Sequence, residues 1–321
     1  MLLRKLWSTM GLYKAQFISM IIMISLGIGI FIGFNMEWVS IEKNTGGFFD
    51  DTGFADYRIV SEAGFTKNDL KSIEDMDGVD RASRYVCVNA DVKGRDGDSV
   101  ALTVTENEDV SGFMVVQGDA YDSKSTDGIW LSDRYAGAND IAAGDKLTLE
   151  YKNFEIKGEV KGLIKASEHM VCVRDETQIM PDYDTYGYAY ISPVFYEKAA
   201  GFEYYPQINV ISDMSKKAFT DEADDALDRT LLILSKDENM SYAGADSEIE
   251  EGKTMGSILP VLFLLIAVLT MVTTMHRIAA KEKLQIGTLK ALGFKDRRIL
   301  RHYTSYSFMV GIAGSAAGVA L

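Results

Sequence analysis

Residues 276–302, HRIAAKEKLQIGTLKALGFKDRRILRH, decide how the rest of the chain is read, because they form a basic stretch between two apolar runs. They hold eight Lys or Arg (Arg277, Lys281, Lys283, Lys290, Lys295, Arg297, Arg298 and Arg301) against Glu282 and Asp296. Short loops of this charge stay on the cytosolic side of a membrane, so the segment reads as a cytosolic loop and the topology follows from it. Within it, Ile286, Leu289 and Leu292 recur at the spacing of one helical face, while Lys283 and Lys290 share another. That pattern predicts a short amphipathic helix over 282–292. Gly293 suits the left-handed residue that ends a helix, and Phe294 is then placed to cover Leu289. A second helix is expected to restart at Asp296.

Working outward, residues 258–275 and 303–321 are apolar and uncharged, and a third such run, Phe17–Phe34, lies near the start. Eighteen residues of helix reach about 27 Å, close to the hydrocarbon thickness of a bilayer. The reading is a cytosolic segment 1–14, a first transmembrane helix 15–35, an extracytoplasmic part 36–257, a second transmembrane helix 258–275, the cytosolic loop 276–302 and a third transmembrane helix 303–321. A cleaved signal peptide is the rival for the first run, but residues 33–37 offer no small-x-small cleavage site. Gly29 with Gly33, and Gly314 with Gly318, have the small-xxx-small spacing that permits close helix packing in lipid. Pro260 is expected in the first turn of the second span, where its missing amide hydrogen costs little. The third run ends with the chain, which reads as a piece of a longer protein.

The average composition, 47% hydrophobic and 25% charged with a mean hydropathy near zero, conceals this segregation. Residues 1–14 carry a net charge of +3, residues 36–257 a net of −23, and the loop a net of +6. One acidic outer part with basic inner segments is the arrangement the topology requires. Clustered Lys and Arg for phosphate contacts are lacking in the outer part, which argues against nucleic acid as a partner.

The outer part reads as a mixed α+β domain of about 200 residues, large enough for its own core. The first helix should continue as a stalk to Thr45 and break at Gly46-Gly47, with the globular domain starting near Asp56. Arg58–Val60 reads as a strand, and Thr66 with Asp69 makes a capping box for a helix ending near Gly78. Strands follow at 84–92 and 100–104, joined by the hairpin signal Asp96-Gly97. Further strands are expected at 128–131, 146–151, 154–164, 188–191 and 208–211, then a helix over 216–234. Helix-containing blocks at 56–92 and 188–235 flank a strand-rich middle at 110–180, which predicts two lobes, one built from separated parts of the segment.

Signals of catalysis are sparse. His169 is the single histidine of the outer part, so no metal pair or Ser-His-Asp set can be assembled there. Gly252-Lys253-Thr254 resembles the end of a phosphate-binding loop, but Ser247 stands where that loop needs glycine. Asp91–Ser99 is acidic and Gly-rich, yet Lys93 and Arg95 fall where a calcium loop needs oxygen ligands. Cys87 and Cys172 each sit in a Val-Cys-Val triplet, which reads as small, buried strand residues; an outside location also permits a disulfide between them. The tyrosines at 183, 186, 188 and 190 read as core packing rather than a ligand cage.

The segment KEKLQIGTLKALGFKDRRIL resembles the cytoplasmic signature of FtsX-like and MacB-like ABC transporter permeases, a pattern close to R-x-x-E-I-G-x-x-+-A-L-G followed by a basic helix. GIWLSDRYAGANDIAAGDKLTLEYKNFEIKGEVKGLI resembles part of the MacB-like core domain. The resemblance implies α-helical transmembrane segments with a large inserted α+β extracytoplasmic domain of MacB-like core type. It implies a non-catalytic permease subunit of the cell membrane, with no cofactor in this chain and ATP held by a separate cytosolic ABC ATPase. A second permease copy or homologous half and membrane lipid complete the expected partners. ATPase coupling would fall to Glu282, Gln285, Ile286, Leu289, Lys290, Leu292, Gly293 and Phe294. Gln285 departs from the family's usual acidic residue before Ile-Gly, so a role needing charge there passes to Glu282. The rival function is a membrane-anchored sensor or scaffold whose outer domain activates a cell-wall hydrolase, and an extracellular enzyme comes last. The substrate, whether lipoprotein, peptide or antimicrobial compound, is not legible.

Overall fold

The structure is a computed structural model, and it describes residues 10–175, 177, 178 and 180–320. The first nine residues of the expected cytosolic segment and the last residue of the third run lie outside it. The chain divides into two compact units, one of Lys43–Asp246 and the other of the chain before and after it.

Helix α1, Lys14–Asp51, carries the first apolar run and continues through Gly46-Gly47, where a break was expected. The stop is six residues further on. Gly53 adopts φ 61°, its amide donates to the Asp50 carbonyl at 3.2 Å, and the Phe54 amide donates to Phe49 at 2.9 Å. This pair of bonds is the glycine-terminated helix end, with its apolar contact supplied by the Phe49 and Phe54 rings at 4.7 Å. Two glycines inside a helix cost about 1 kcal/mol each, which a strong terminator further on overrides.

Ten strands form one mixed sheet: β1 (Tyr57–Val60), β2 (Val79–Val92), β3 (Ser99–Thr105), β4 (Phe113–Gly118), β5 (Gly128–Ser132), β6 (Lys146–Tyr151), β7 (Phe154–Ala166), β8 (Tyr186–Ile191), β9 (Gln207–Ser212) and β10 (Leu232–Ser235). The order is β10-β1-β9-β2-β3-β8-β5-β7-β4, and β6 pairs with both β7 and β2. Strands β2, β3, β8, β5, β7 and β6 therefore close on themselves, and their inward residues, among them Val104, Leu131, Leu149, Val160 and Ile191, make one core. The other lobe is the open end of the sheet, β10-β1-β9 with the first half of β2. It is covered by α2 (Lys67–Glu74) and α5 (Lys216–Leu227), which bury Ile59, Ile73, Val210 and Phe219. Fourteen-residue β2 runs through both lobes, and the open lobe comes from separated parts of the chain, as the pattern predicted.

The Thr66–Asp69 capping box forms at α2, which ends at Glu74 rather than near Gly78. Helix α5 stops at Leu227, shorter than the expected 216–234, because Leu232–Ser235 pairs with β1 as an edge strand. Short helices α3 (Asp133–Ala138) and α4 (Pro193–Ala200) each start on a serine cap. Tyr186, Tyr188 and Tyr190 pack in a third cluster with Trp130, so the tyrosines are core. Cys87, in β2, is exposed rather than buried, while Cys172 is buried but lies outside any strand; both are free thiols.

Helix α6 (Met240–Lys281) starts within the Lys43–Asp246 unit and carries the second run, and α7 (Lys283–Ala291) and α8 (Asp296–Ala320) follow in the other unit. Pro260 sits deep inside α6 rather than in a first turn, since the polar segment before it is already helical. The carbonyl of Gly256 consequently loses its normal helical donor. Helices α1 and α6 are long and apolar enough to cross a membrane. At 38 and 42 residues they measure roughly 57 and 63 Å, about twice the hydrocarbon thickness, so much of each projects beyond it.

Candidate functional site

Two breaks isolate α7 from its neighbours. At its start, Glu282 leaves helical geometry (φ −93°, ψ 12°), is buried, and accepts a hydrogen bond from the Tyr303 hydroxyl at 2.6 Å. At its end, Gly293 takes φ 84°, its amide donates to Lys290 at 3.0 Å, and the Phe294 amide donates to Leu289 at 3.1 Å. These are the two bonds of the glycine-terminated end that the Leu-Gly-Phe sequence predicts. Lys290 pairs with Asp296 at 2.8 Å across the turn, and the Arg298 guanidinium lies 5.3 Å from the Phe294 ring centre.

The outward face of α7 differs from the expected stripe. Ile286 and Leu289 are half-buried, whereas Leu292 is 70% exposed and Leu284, which lies off the expected stripe, is 86% exposed. Leu284, Thr288 and Leu292 are four residues apart and so share one face. That i, i+4, i+8 spacing was readable, but the choice between two apolar faces depends on which one the fold covers. Gln285 and Lys290 are exposed beside it.

Of the four glycines expected to pack helices, Gly314 and Gly318 lie against α1. An added Cβ would fall 2.7 Å from Ile24 Cβ at the first and 2.7 Å from the Ser25 carbonyl at the second. On α1 the close approach is at Gly27, against Phe263 and Leu264, rather than at Gly33, where an added Cβ meets no neighbouring element within 4 Å among the described residues. Gly29 is half-buried. The spacing picks out candidate pairs but not the face that meets a neighbour. Phe17, Met20, Ala267, Ile278, Tyr306 and Val310 fill the contact among these helices.

In the sheet domain, Glu106, Glu197 and Glu203 converge, but the buried Arg84 guanidinium sits among them, bonded twice to Glu106 (2.6 and 2.7 Å) and once to Glu203. Arg84 is thus the counter-ion of that cluster. His169 accepts or donates at 3.0 Å with the Thr103 hydroxyl and stacks on Tyr188; burial pushes its imidazole down to about 4. Burial likewise pushes the Cys172 thiol up to about 12, with Cys87 adding to the effect.

Comparison with known proteins bears on the second half of α6, α7 and α8. Residues 257–321 match the FtsX-like permease C-terminal family. This FtsX-like segment contains the whole α7 site, and helices α1 and α6 are each long and apolar enough to cross a membrane. No curated protein matches the chain. Among solved structures, the extracellular domain of the noncanonic ABC-type transporter YknZ from Gram-positive bacteria is similar at 13% identity and a TM-score of 0.41, over 56% of this chain and 100% of that one. The periplasmic region of MacB from Actinobacillus actinomycetemcomitans is similar at 14% identity and a TM-score of 0.37, over 66% of this chain and 98% of that one.

Proposed function

We propose that the chain is the permease subunit of an ABC transporter, working with a separate cytosolic ATPase and a second permease copy or homologous half. ATP-driven movement would reach the sheet domain through the long helices and serve export or extraction of a substrate. The observation that carries this reading is α7: a short helix set off by a break at Glu282 and a glycine end at Gly293, presenting Leu284 and Leu292 outward from within the FtsX-like segment. A basic helix held on anionic lipid by electrostatics alone would depend on its summed charge. Two exposed leucines on one face suit insertion into a protein groove.

Full burial of two leucines contributes roughly 3–6 kcal/mol, and aspartate at those sites adds a desolvation cost. Leu284→Asp with Leu292→Asp leaves all eight bases of the loop in place. The double variant is expected to insert into membranes normally and to lose its co-purifying ATPase, with affinity down by at least about a hundredfold. Retention of the ATPase by this variant, combined with loss on neutralising Lys290, Lys295, Arg297 and Arg298, would replace docking by the lipid reading.

A further inference from the structure

Glu168 follows β7 in a short 3-10 turn and is buried, and its carboxylate gathers donors from four parts of the sheet domain. One oxygen accepts from the Ser111 hydroxyl at 2.8 Å, in the β3–β4 connection, and from the Ala55 amide at 3.4 Å, just past α1. The other pairs with Arg58 of β1 at 2.7 Å and accepts from the Asn239 amide group at 3.1 Å, at the entry to α6. Asn239 also accepts from the Ser241 amide at 2.8 Å, so one residue caps α6 and holds Glu168. The Ser241 hydroxyl returns to the Glu168 carbonyl at 3.0 Å.

The end of α1 is fastened to the same point. The Thr52 hydroxyl donates to Ser167 at 2.5 Å, and the carbonyls of Thr52 and Gly53 accept from the amides of Gly112 and Ser111 at 2.9 and 2.7 Å. The fit is tight, since a Cβ on Gly53 would lie 2.0 Å from the Asp109 carbonyl and one on Gly112 2.1 Å from that of Glu108. Tyr242 of α6 stacks on Phe49 and Phe54 at 5.5 and 5.9 Å, and the Arg58 guanidinium lies over the Phe54 ring, 4.9 Å from its centre.

A buried ion pair is seldom the cheapest way to hold a core together, because well-packed apolar residues of the same volume do as well or better. A buried polar network instead selects one geometry, since a shift of a bonded member leaves a buried group unpaired; here both Glu168 oxygens are bonded, while Arg58 is held through Nη2 and its Nη1 has no partner among the described residues. Here the members are the ends of the two membrane-length helices and the sheet. We propose that Glu168 is a positioning residue that clasps the domain end of α1 and the first turn of α6 to the sheet. Movement of those helices then reaches the sheet instead of being absorbed where they enter it. Its use in transport rests on the function proposed above; the clasp itself does not.

The test is amide exchange by mass spectrometry on the full chain in lipid nanodiscs, without any ATPase, so that failure of the clasp and failure of ATPase docking are read separately. Arg58→Met with Glu168→Met removes the network without stranding a charge. It is expected to speed exchange at residues 52–56 and 239–243 at least tenfold while β3 and β8 keep wild-type protection. Asn239→Ser keeps a capping oxygen but cannot reach Glu168, and should loosen 239–243 alone. Unchanged exchange at these segments, an equal rise throughout the sheet, or failure of both variants to fold would each overturn the clasp and leave Glu168 an ordinary core group.

Discussion

Gly53 and Gly293 occupy the same left-handed position at the ends of α1 and α7, but their surroundings differ, and so should the cost of a methyl group. At Gly293 an added Cβ meets nothing within 4 Å among the described residues, so Gly293→Ala is expected to cost only the backbone preference, about 1 kcal/mol. At Gly53 the added carbon meets a carbonyl at 2.0 Å that belongs to the clasped backbone, and Gly53→Ala should cost about 3 kcal/mol or more. Thermal unfolding of the sheet domain would show this as a fall of roughly 6–12 °C, and a fall below about 2 °C would contradict it. His169 gives a second residue-level prediction. Its folded value lies near 4 against an ordinary 6.5, so between these pH values the unfolded chain binds the extra proton and stability must fall as pH drops from 6.5 to 4, by no more than about 3 kcal/mol. Denaturant titrations across that window should lose part of their slope in His169→Gln, and an identical slope in the variant would remove His169 as the cause.

Elements were legible where a local rule sufficed. The Thr66–Asp69 box, the Asp96-Gly97 hairpin and the Leu-Gly-Phe end of α7 are written in adjacent residues, and all three form. Reading failed where the outcome depends on distant partners. Leu231–Leu234 continues the apolar pattern of α5, and only its pairing with β1 makes part of it a strand. The stop of α1 was misplaced at Gly46-Gly47 although Gly53-Phe54, with Phe49 before it, has the same pattern as the α7 end. The packing glycines divide in the same way, since the small-xxx-small spacing recurs but only tertiary contact shows which members meet a neighbour. Gly314→Leu should therefore disrupt packing between α8 and α1, lowering the detergent-solubilised stability by about 1–3 kcal/mol, while Gly33→Leu should be nearly neutral. Equal effects of the two, followed by thermal aggregation in detergent, would mean that this contact does not hold the helices.

At the scale of the whole molecule, the charge segregation, an acidic segment of net −23 flanked by basic ones, sets an expected boundary at residues 36 and 257, and one compact unit of the structure runs from Lys43 to Asp246. The extended helices were less legible: the pattern carries the first helix only to Thr45 and starts the second span at residue 258, whereas α1 reaches Asp51 and α6 begins at Met240. Nor could the sequence reveal that Arg58, Ser111, Glu168 and Asn239, separated by as many as 180 positions, meet at one point. The proposed function requires one orientation of the chain in the membrane, with the sheet domain outside and α7 in the cytosol. Single cysteines at Ser123, in the sheet domain, and at Lys290 and Asp296, around the end of α7, can be placed in a background lacking Cys87 and Cys172; all three native side chains are exposed. With an impermeant thiol reagent on intact cells, the account predicts labelling at position 123 alone, with 290 and 296 reacting only after permeabilisation. Labelling of 290 or 296 in intact cells, with 123 protected, would contradict it.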